Sequence, residues 1–157
     1  MPVASFYSAD IYPGTGSQVA FPVTFDFLDR ETVVVYRVET TGYPSSQTEL
    51  TVIQTGTPTG DEFIWDNDQL VTVGTAPTTN QQLKIQRRTP VNEQAVQWKD
   101  GSYIIADDLN TSEEQSLYVD QELTDWLSTL TGGGTGPGDL LDLEDLGDVD
   151  DIIYEYE

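Results

Sequence analysis

The sequence predicts a mainly β protein, a β-sandwich-like domain closed by one C-terminal α-helix. Turn-forming residues are frequent, with 13 Gly and 8 Pro in 157 residues. Short β-branched or alternating runs recur between these turns, at intervals typical of a sandwich or small barrel. A chain of this length buries one core. We therefore expect one domain over residues 1–130, followed by further segments at 131–138 and 139–157.

The first predicted strand shows the two-residue period of a half-buried strand. Its inward phase is apolar and comprises Val19, Phe21, Val23, Phe25 and Phe27. Pro22 lies on the outward phase and cannot donate a ladder hydrogen bond, so we expect this strand at a sheet edge.

A turn is predicted at residues 29–31, and the β-branched run at 32–38 suits a central strand. Four further short strands are predicted at residues 50–53, 63–65, 70–73 and 83–87. The acidic stretch at 66–68 then forms a hairpin turn. It lacks the Gly and the terminal Glu of a calcium loop.

One helix is predicted at about residues 107–130. Asn110 or Thr111 can cap it, and Thr111 and Glu114 stand at capping-box spacing. Acidic residues crowd its first turn, where the helix dipole favours them, and Gly132 can terminate it.

Four apolar residues of this helix are spaced four, three and four residues apart, as in a heptad: Val119, Leu123, Trp126 and Leu130. Leu117 and Leu127 widen one side of this seam. The seam can join three helices on a threefold axis, or it can pack a single helix on its own sheet, since a coiled-coil assignment needs three or more heptads. One helix can also serve both purposes.

The composition changes after the helix. Residues 131–138 have the glycine content of a flexible linker, and residues 139–157 hold nine acidic side chains and no basic one. Apolar residues alternate with these acids, which favours a segment that folds on a partner protein. The alternative is a solvated tail. Tyr154 and Tyr156 lie in a β-prone stretch that could add a strand to an exposed sheet edge, and we predict both as partner contacts.

The net charge of -22 argues against nucleic acid and membrane surfaces as partners and favours a basic patch on a protein partner. The chain contains neither Cys nor His, so it lacks the thiolate nucleophile, the usual general base and the commonest metal ligands. We expect no catalytic activity, no cofactor and no metal. The sequence shows neither a signal peptide nor an apolar stretch of membrane-spanning length, which predicts a protein made in a cytoplasm.

Adjacent arginines are informative in a chain with only six cations. Arg87 and Arg88 at a strand end point to opposite faces, so one can pair a carboxylate inside the assembly while the other contacts a partner. The alternative is two surface arginines that balance local acid. Lys99 and Asp100, at the turn before the helix, are further predicted partner contacts, whereas the neighbouring Trp98 is predicted to lie in the core.

Three blocks stand in a fixed order along the chain. They are Ala20-Phe-Pro-Val-Thr-Phe-Asp-Phe-Leu-Asp-Arg30 followed by Val33-Val-Val-Tyr36, then the arginine pair, then Val96-Gln-Trp-Lys-Asp-Gly-Ser-Tyr-Ile-Ile-Ala-Asp-Asp-Leu-Asn110. With these blocks the chain, over about residues 12–130, resembles the N-terminal tail-attachment domain of tail fibres of short-tailed bacteriophages of the podovirus, autographivirus type.

The resemblance implies a structural virion protein in the phage tail, made in the host bacterial cytoplasm. It implies a homotrimeric fibre base bound to the adaptor and nozzle proteins of the short tail, which supports host attachment, and it favours the trimer reading of the helix seam. We expect a short anchor fibre. The alternatives are an N-terminal fragment of a longer receptor-binding fibre and, from another class, a polysaccharide depolymerase tailspike component, against which the missing parallel β-helix repeats argue.

Overall fold

The computed structural model describes residues 6–42, 46–97, 99, 101, 103 and 105–130. Its elements are β1 (Ala9–Pro13), β2 (Ala20–Pro22), β3 (Val33–Glu39), β4 (Gln47–Glu49), β5 (Thr51–Ile53), β6 (Glu62–Asn67), β7 (Leu70–Val73), β8 (Gln81–Arg87) and α1 (Ala106–Leu130). The strands form two four-stranded sheets, ordered β1-β8-β3-β4 and β2-β7-β6-β5. The predicted mainly β fold with one C-terminal helix is confirmed.

Contacts divide the chain into two compact units, Met1–Asp125 and Trp126–Glu157. The first unit holds both sheets and α1 up to Asp125, and the described part of the second is the end of α1. The predicted segments at 131–138 and 139–157 lie outside the described residues, as does Trp98 with its predicted place in the core. The predicted division of the chain therefore stays a prediction.

The core lies between the two sheets, and β1, β2, β3, β6, β7 and β8 each turn one face towards it. β8 shows the pattern best, because Leu83 and Ile85 are fully buried while Gln82, Lys84 and Gln86 are half-exposed. The inward residues of both sheets join one cluster, in which the rings of Tyr12 and Phe21 lie 5.4 Å apart. The central position predicted for the strand at 32–38 is confirmed, since β3 pairs with both β8 and β4.

The strand predicted over residues 19–27 is shorter than expected. Only β2 pairs with β7, and it lies at a sheet edge as Pro22 predicted. Beyond it, the Asp10 carboxylate accepts hydrogen bonds from the backbone N–H and the hydroxyl of Thr24, both at 2.7 Å. A side chain thus takes a backbone donor that a neighbouring strand would otherwise use, and regular pairing ends.

The predicted helix cap is also wrong. Because α1 already begins at Ala106, Asn110 and Thr111 lie inside it, and the Thr111 hydroxyl donates to the carbonyl of Asp107 at 2.9 Å. The turn expected at 29–31 is a short 3-10 helix, Arg30–Thr32, whose cap residue Asp29 accepts a hydrogen bond from the Glu31 N–H. A hairpin does join β6 to β7, but its turn lies at residues 68–69 rather than at the predicted 66–68, because Asp66 and Asn67 still belong to β6.

Candidate interaction surfaces

The arginine at the end of β8 links the sandwich to the helix. The inward phase of β8 continues from Leu83 and Ile85 to Arg87, so strand geometry carries this guanidinium to the inner side of the sheet. Arg87 is only 1% exposed, and its Nε donates to Glu122 Oε1 of α1 at 3.0 Å. Arg88, next in the chain, is exposed. Arg88 follows the last residue of β8, so the predicted opposite directions of the two side chains stay a prediction.

The other nitrogens of Arg87 also bond within the chain. One donates to the carbonyl oxygen of Asp26 at 2.5 Å, and the other donates to Gln121 Oε1 at 2.8 Å and to the carbonyl of Tyr118 at 3.2 Å. The guanidinium also lies 4.0 Å from the centre of the Tyr118 ring. The partners of Arg87 named here belong to its own chain, and its predicted contact with a partner protein stays a prediction.

The ring of Tyr118 is influenced by this environment. Burial raises the pKa of the Tyr118 hydroxyl above its ordinary value, and the negative charges of Glu114 and Asp26 act in the same direction. The positive charge of Arg87 opposes them. The Tyr118 hydroxyl thus keeps its proton, and the face of the neutral ring packs against the Arg87 guanidinium.

Glu122 serves two elements at once. Besides the Arg87 guanidinium, its Oε1 accepts hydrogen bonds from the Thr89 N–H at 3.0 Å and the Thr89 hydroxyl at 2.6 Å. The segment after β8 is thereby held to α1, because this carboxylate accepts hydrogen bonds from both Arg87 and Thr89. Sequence reasoning missed Glu122, because it is one of 28 acidic residues and nothing in its neighbourhood marks it.

Two more polar side chains of α1 hold the same unit together. The Asp125 carboxylate accepts from the Ser8 N–H at 2.7 Å and the Ser8 hydroxyl at 2.5 Å. Gln115 accepts from the Ala95 N–H and donates to the carbonyls of Pro90 and Glu93. With Tyr118 and Glu122 these residues recur every three or four positions. They form what we call the docking face of α1: Gln115, Tyr118, Glu122 and Asp125.

The predicted seam lies on a different side of the helix, and we call it the apolar stripe: Val119, Leu123, Trp126 and Leu130. At 100° per residue its two members in the first unit, Val119 and Leu123, lie about 40° apart, and their centre lies about 100° from that of the docking face. Leu123 is 57%, Trp126 58% and Leu130 60% exposed, whereas Val119 is half-buried. Up to Asp125 the helix is thus held by polar groups, and Leu123 is left uncovered.

The remaining predicted partner contacts are distributed as follows. Arg88 is exposed, and in the part of the chain that the structure describes its side chain makes no hydrogen bond or ion pair. Lys99 is exposed as well. Asp100, Tyr154 and Tyr156 lie outside the described residues.

Neither metal binding nor membrane insertion has a structural basis in the described ranges. Across them, no three His, Cys, Asp or Glu side chains come close enough to hold a metal ion. The single described helix is too polar to cross a membrane. The first unit belongs to the class of two-sheet β modules with one packed helix, and this helix leaves Leu123 exposed.

The family described as "Phage T7 tail fibre protein, N-terminal domain" matches residues 1–132. The chain therefore belongs to this family, and the resemblance found in the sequence is confirmed. It is a structural protein of a bacteriophage virion, located in the tail, and the family is not an enzymatic one. No curated protein sequence matches the chain.

Proposed function

We propose that this domain is the base of a homotrimeric tail fibre, which it attaches to the adaptor and nozzle region of a short tail, and that it thereby supports host attachment. The observation that best supports this proposal is the apolar stripe, with Leu123, Trp126 and Leu130 each more than half exposed. Contiguous exposed apolar groups mark interaction sites on soluble proteins.

The separation of the two helix faces explains how a trimer can form without unfolding the domain. Glu122 and Asp125 hold α1 in its own unit through the docking face. The apolar stripe is therefore available to other copies, and three stripes can bury one another on a threefold axis. Fully burying one Leu or comparable side chain contributes about 1.5–3 kcal/mol.

Contacts with the tail itself need residues away from the axis. Arg88 is suited to this role, because it is an exposed cation that makes no ion pair within the described residues. Lys99 and Asp100 belong to the same proposed contact. Residues 139–157, with Tyr154 and Tyr156, recruit another fibre or tail protein in this proposal.

The decisive experiment measures stoichiometry both in solution and on the tail. Light scattering of the full chain over a concentration series should give three times the chain mass of 17.4 kDa. Purified tails that lack fibres should then bind three chains at each attachment point. A chain that is monomeric in solution and also binds the tail as single copies would refute the proposal.

A further inference from the structure

The outer face of the first sheet carries a lysine at its centre. Lys84 points outward from β8, since Leu83 and Ile85 on either side of it are buried in the core. In the strand register it stands directly between Ile11 of β1 and Tyr36 of β3. The lysine is therefore surrounded by side chains of its own strand and of the two neighbouring strands.

None of the positions around Lys84 on this face carries a charge. Directly opposite and diagonal neighbours in a sheet lie about 5–8 Å away. The positions, which with Lys84 we call the Lys84 face, are Ala9, Ile11, Pro13, Val34, Tyr36, Val38, Gln82 and Gln86. In a chain with 28 Asp and Glu, a lysine without one acidic neighbour on its face is an unusual arrangement.

Lys84 differs in this respect from arginines of the same unit. Arg30, Arg37 and Arg87 are each paired with a carboxylate of the chain, whereas Lys84 makes no ion pair in the described residues. Its side chain is half-buried, and burial lowers the pKa of its ammonium group. A half-buried ammonium group without a carboxylate partner lowers the stability of the fold. An apolar side chain of the same length would avoid this desolvation cost.

We propose that the Lys84 face is the surface by which the domain docks on the tail, and that its occupant is a tail protein that presents an Asp or Glu carboxylate among apolar side chains. This inference rests on the proposed attachment function. It adds the Lys84 face to the contacts with the tail that were proposed there for Arg88, Lys99 and Asp100. The carboxylate pairs with the Lys84 ammonium, and the surrounding apolar groups cover Ile11, Val34 and Tyr36.

The net charge of the chain does not prevent such a contact. At physiological salt, charges more than about 8 Å apart in solvent are largely screened. The nearest side chains on the Lys84 face are uncharged, so the ammonium determines the local potential. On the same row, Glu49 stands beyond Tyr36 and two strands away from Lys84, at about 10 Å. An incoming carboxylate is therefore attracted at the centre of the face.

The test uses the full chain and purified tails that lack fibres. Lys84→Glu should abolish tail binding, Lys84→Met should weaken it about tenfold or more, and Lys84→Arg should retain it, because only the charge is required. Gln54→Glu, an exposed position next to β5 of the other sheet, adds a negative charge elsewhere and should bind like the wild type. Circular dichroism and light scattering confirm that each variant is folded and assembled.

The outcomes separate this inference from the proposed function. If Lys84→Glu binds tails as the wild type does, the inference is wrong while the attachment function stands. If the wild type itself does not bind tails, the attachment function fails first. A lower light-scattering mass for Lys84→Glu would show that the face is occupied by a second copy, which would also overturn the inference.

Discussion

Arg87 and Glu122 connect the last residue of β8 to α1 through an ion pair with an N–O distance of 3.0 Å. The guanidinium is almost fully buried, and the carboxylate also accepts the N–H and hydroxyl of Thr89. Removal of one member of a buried pair leaves the other without compensation, which costs more than the pair contributes. Up to Asp125 the helix is therefore held by polar contacts of this kind more than by apolar packing, since none of its described residues is buried.

Glu122→Leu should lower the free energy of unfolding by about 3 kcal/mol or more, because Arg87 and the Thr89 donors lose their partner. Urea unfolding followed by circular dichroism measures the change. Glu113→Leu is the matched control, an exposed carboxylate on the same helix, for which we expect a change within about 0.5 kcal/mol. Equal losses for the two variants would contradict the role given to the ion pair.

A second pair of variants tests whether the apolar stripe joins the chains of the proposed trimer. Leu123→Asp places charges close together at the axis of the proposed trimer, so the assembly should dissociate into folded monomers. Leu117 was expected to widen the seam, but it lies about 120° from Leu123 on the helix and is exposed. Leu117→Asp therefore makes the same exchange away from the apolar stripe and should remain trimeric. Light scattering measures the mass and circular dichroism the fold. A Leu123→Asp protein that stays trimeric, or that unfolds outright, would show that the seam was misassigned.

Tyr12 predicts a loss of stability at alkaline pH. Burial, with a contribution from the nearby Asp10, raises the pKa of the Tyr12 hydroxyl from 10.0 to about 12, and the hydroxyl donates to the Pro22 carbonyl at 2.7 Å. Between these values the folded chain keeps a proton that the unfolded chain has lost. The contribution to stability is therefore complete below pH 10 and is lost as the pH rises towards 12, by on the order of 2 kcal/mol.

Tyr12→Phe isolates this effect from other titrating groups. The variant starts less stable at pH 8, since the Pro22 carbonyl loses its donor, but it should lose less stability than the wild type between pH 9 and pH 11.5. Urea midpoints at a series of pH values provide the comparison. Parallel curves for the two proteins would rule out Tyr12 as the source.

The strands that sequence predicted best are those whose own residues define an inward face. β7 and β8 alternate apolar residues with polar ones, so the period alone locates them. β1 was missed because Asp10 occupies an inward position, where it bonds Thr24 rather than packing in the core. β4, with three exposed residues, has no inward apolar residue to detect. β1 depends on β8, which is distant in sequence, and β4 is defined only by its pairing with β3.

The same distinction applies to the candidate surfaces. Strand geometry predicts that Arg87 and Arg88 point in opposite directions. The partner of Arg87 lies 35 residues further along, and only the folded chain selects it from so many acids. The isolation of Lys84 depends on the register of β8 against β1 and β3, which are not its neighbours in sequence.

Gly14 lies where the chain after β1 passes close to the backbone of the segment before β8, so we predict that no side chain fits at this position. A Cβ at this position would lie 1.8 Å from the Thr78 carbonyl oxygen and 2.7 Å from that of Gln81. Both obstacles are backbone, and the Gly14 N–H itself donates to Gln81, so the chain cannot move away cheaply. Gly14→Ala should therefore cost at least about 2 kcal/mol of unfolding free energy.

The control for Gly14→Ala is Ser17→Ala, at an exposed position in the same loop, with an expected change within about 0.5 kcal/mol. The urea midpoint of each variant gives the comparison. A Gly14→Ala protein as stable as Ser17→Ala would show that the two segments can separate without cost.

The last prediction concerns residues 139–157. A glycine-rich tether lets such a segment search a volume around the domain, and its Leu, Ile and Tyr residues give it something to bury on arrival. Deletion of residues 139–157 should leave the binding of the domain to fibreless tails unchanged, but the particles should lose the tail component that this segment recruits. In the wild type, the binding of that component should weaken as the salt concentration rises. A control segment that keeps all nine acids but has Ser at every Leu, Ile and Tyr separates charge from apolar burial: it should fail like the deletion. Particles that retain every tail component after the deletion would show that the segment only carries charge into solvent.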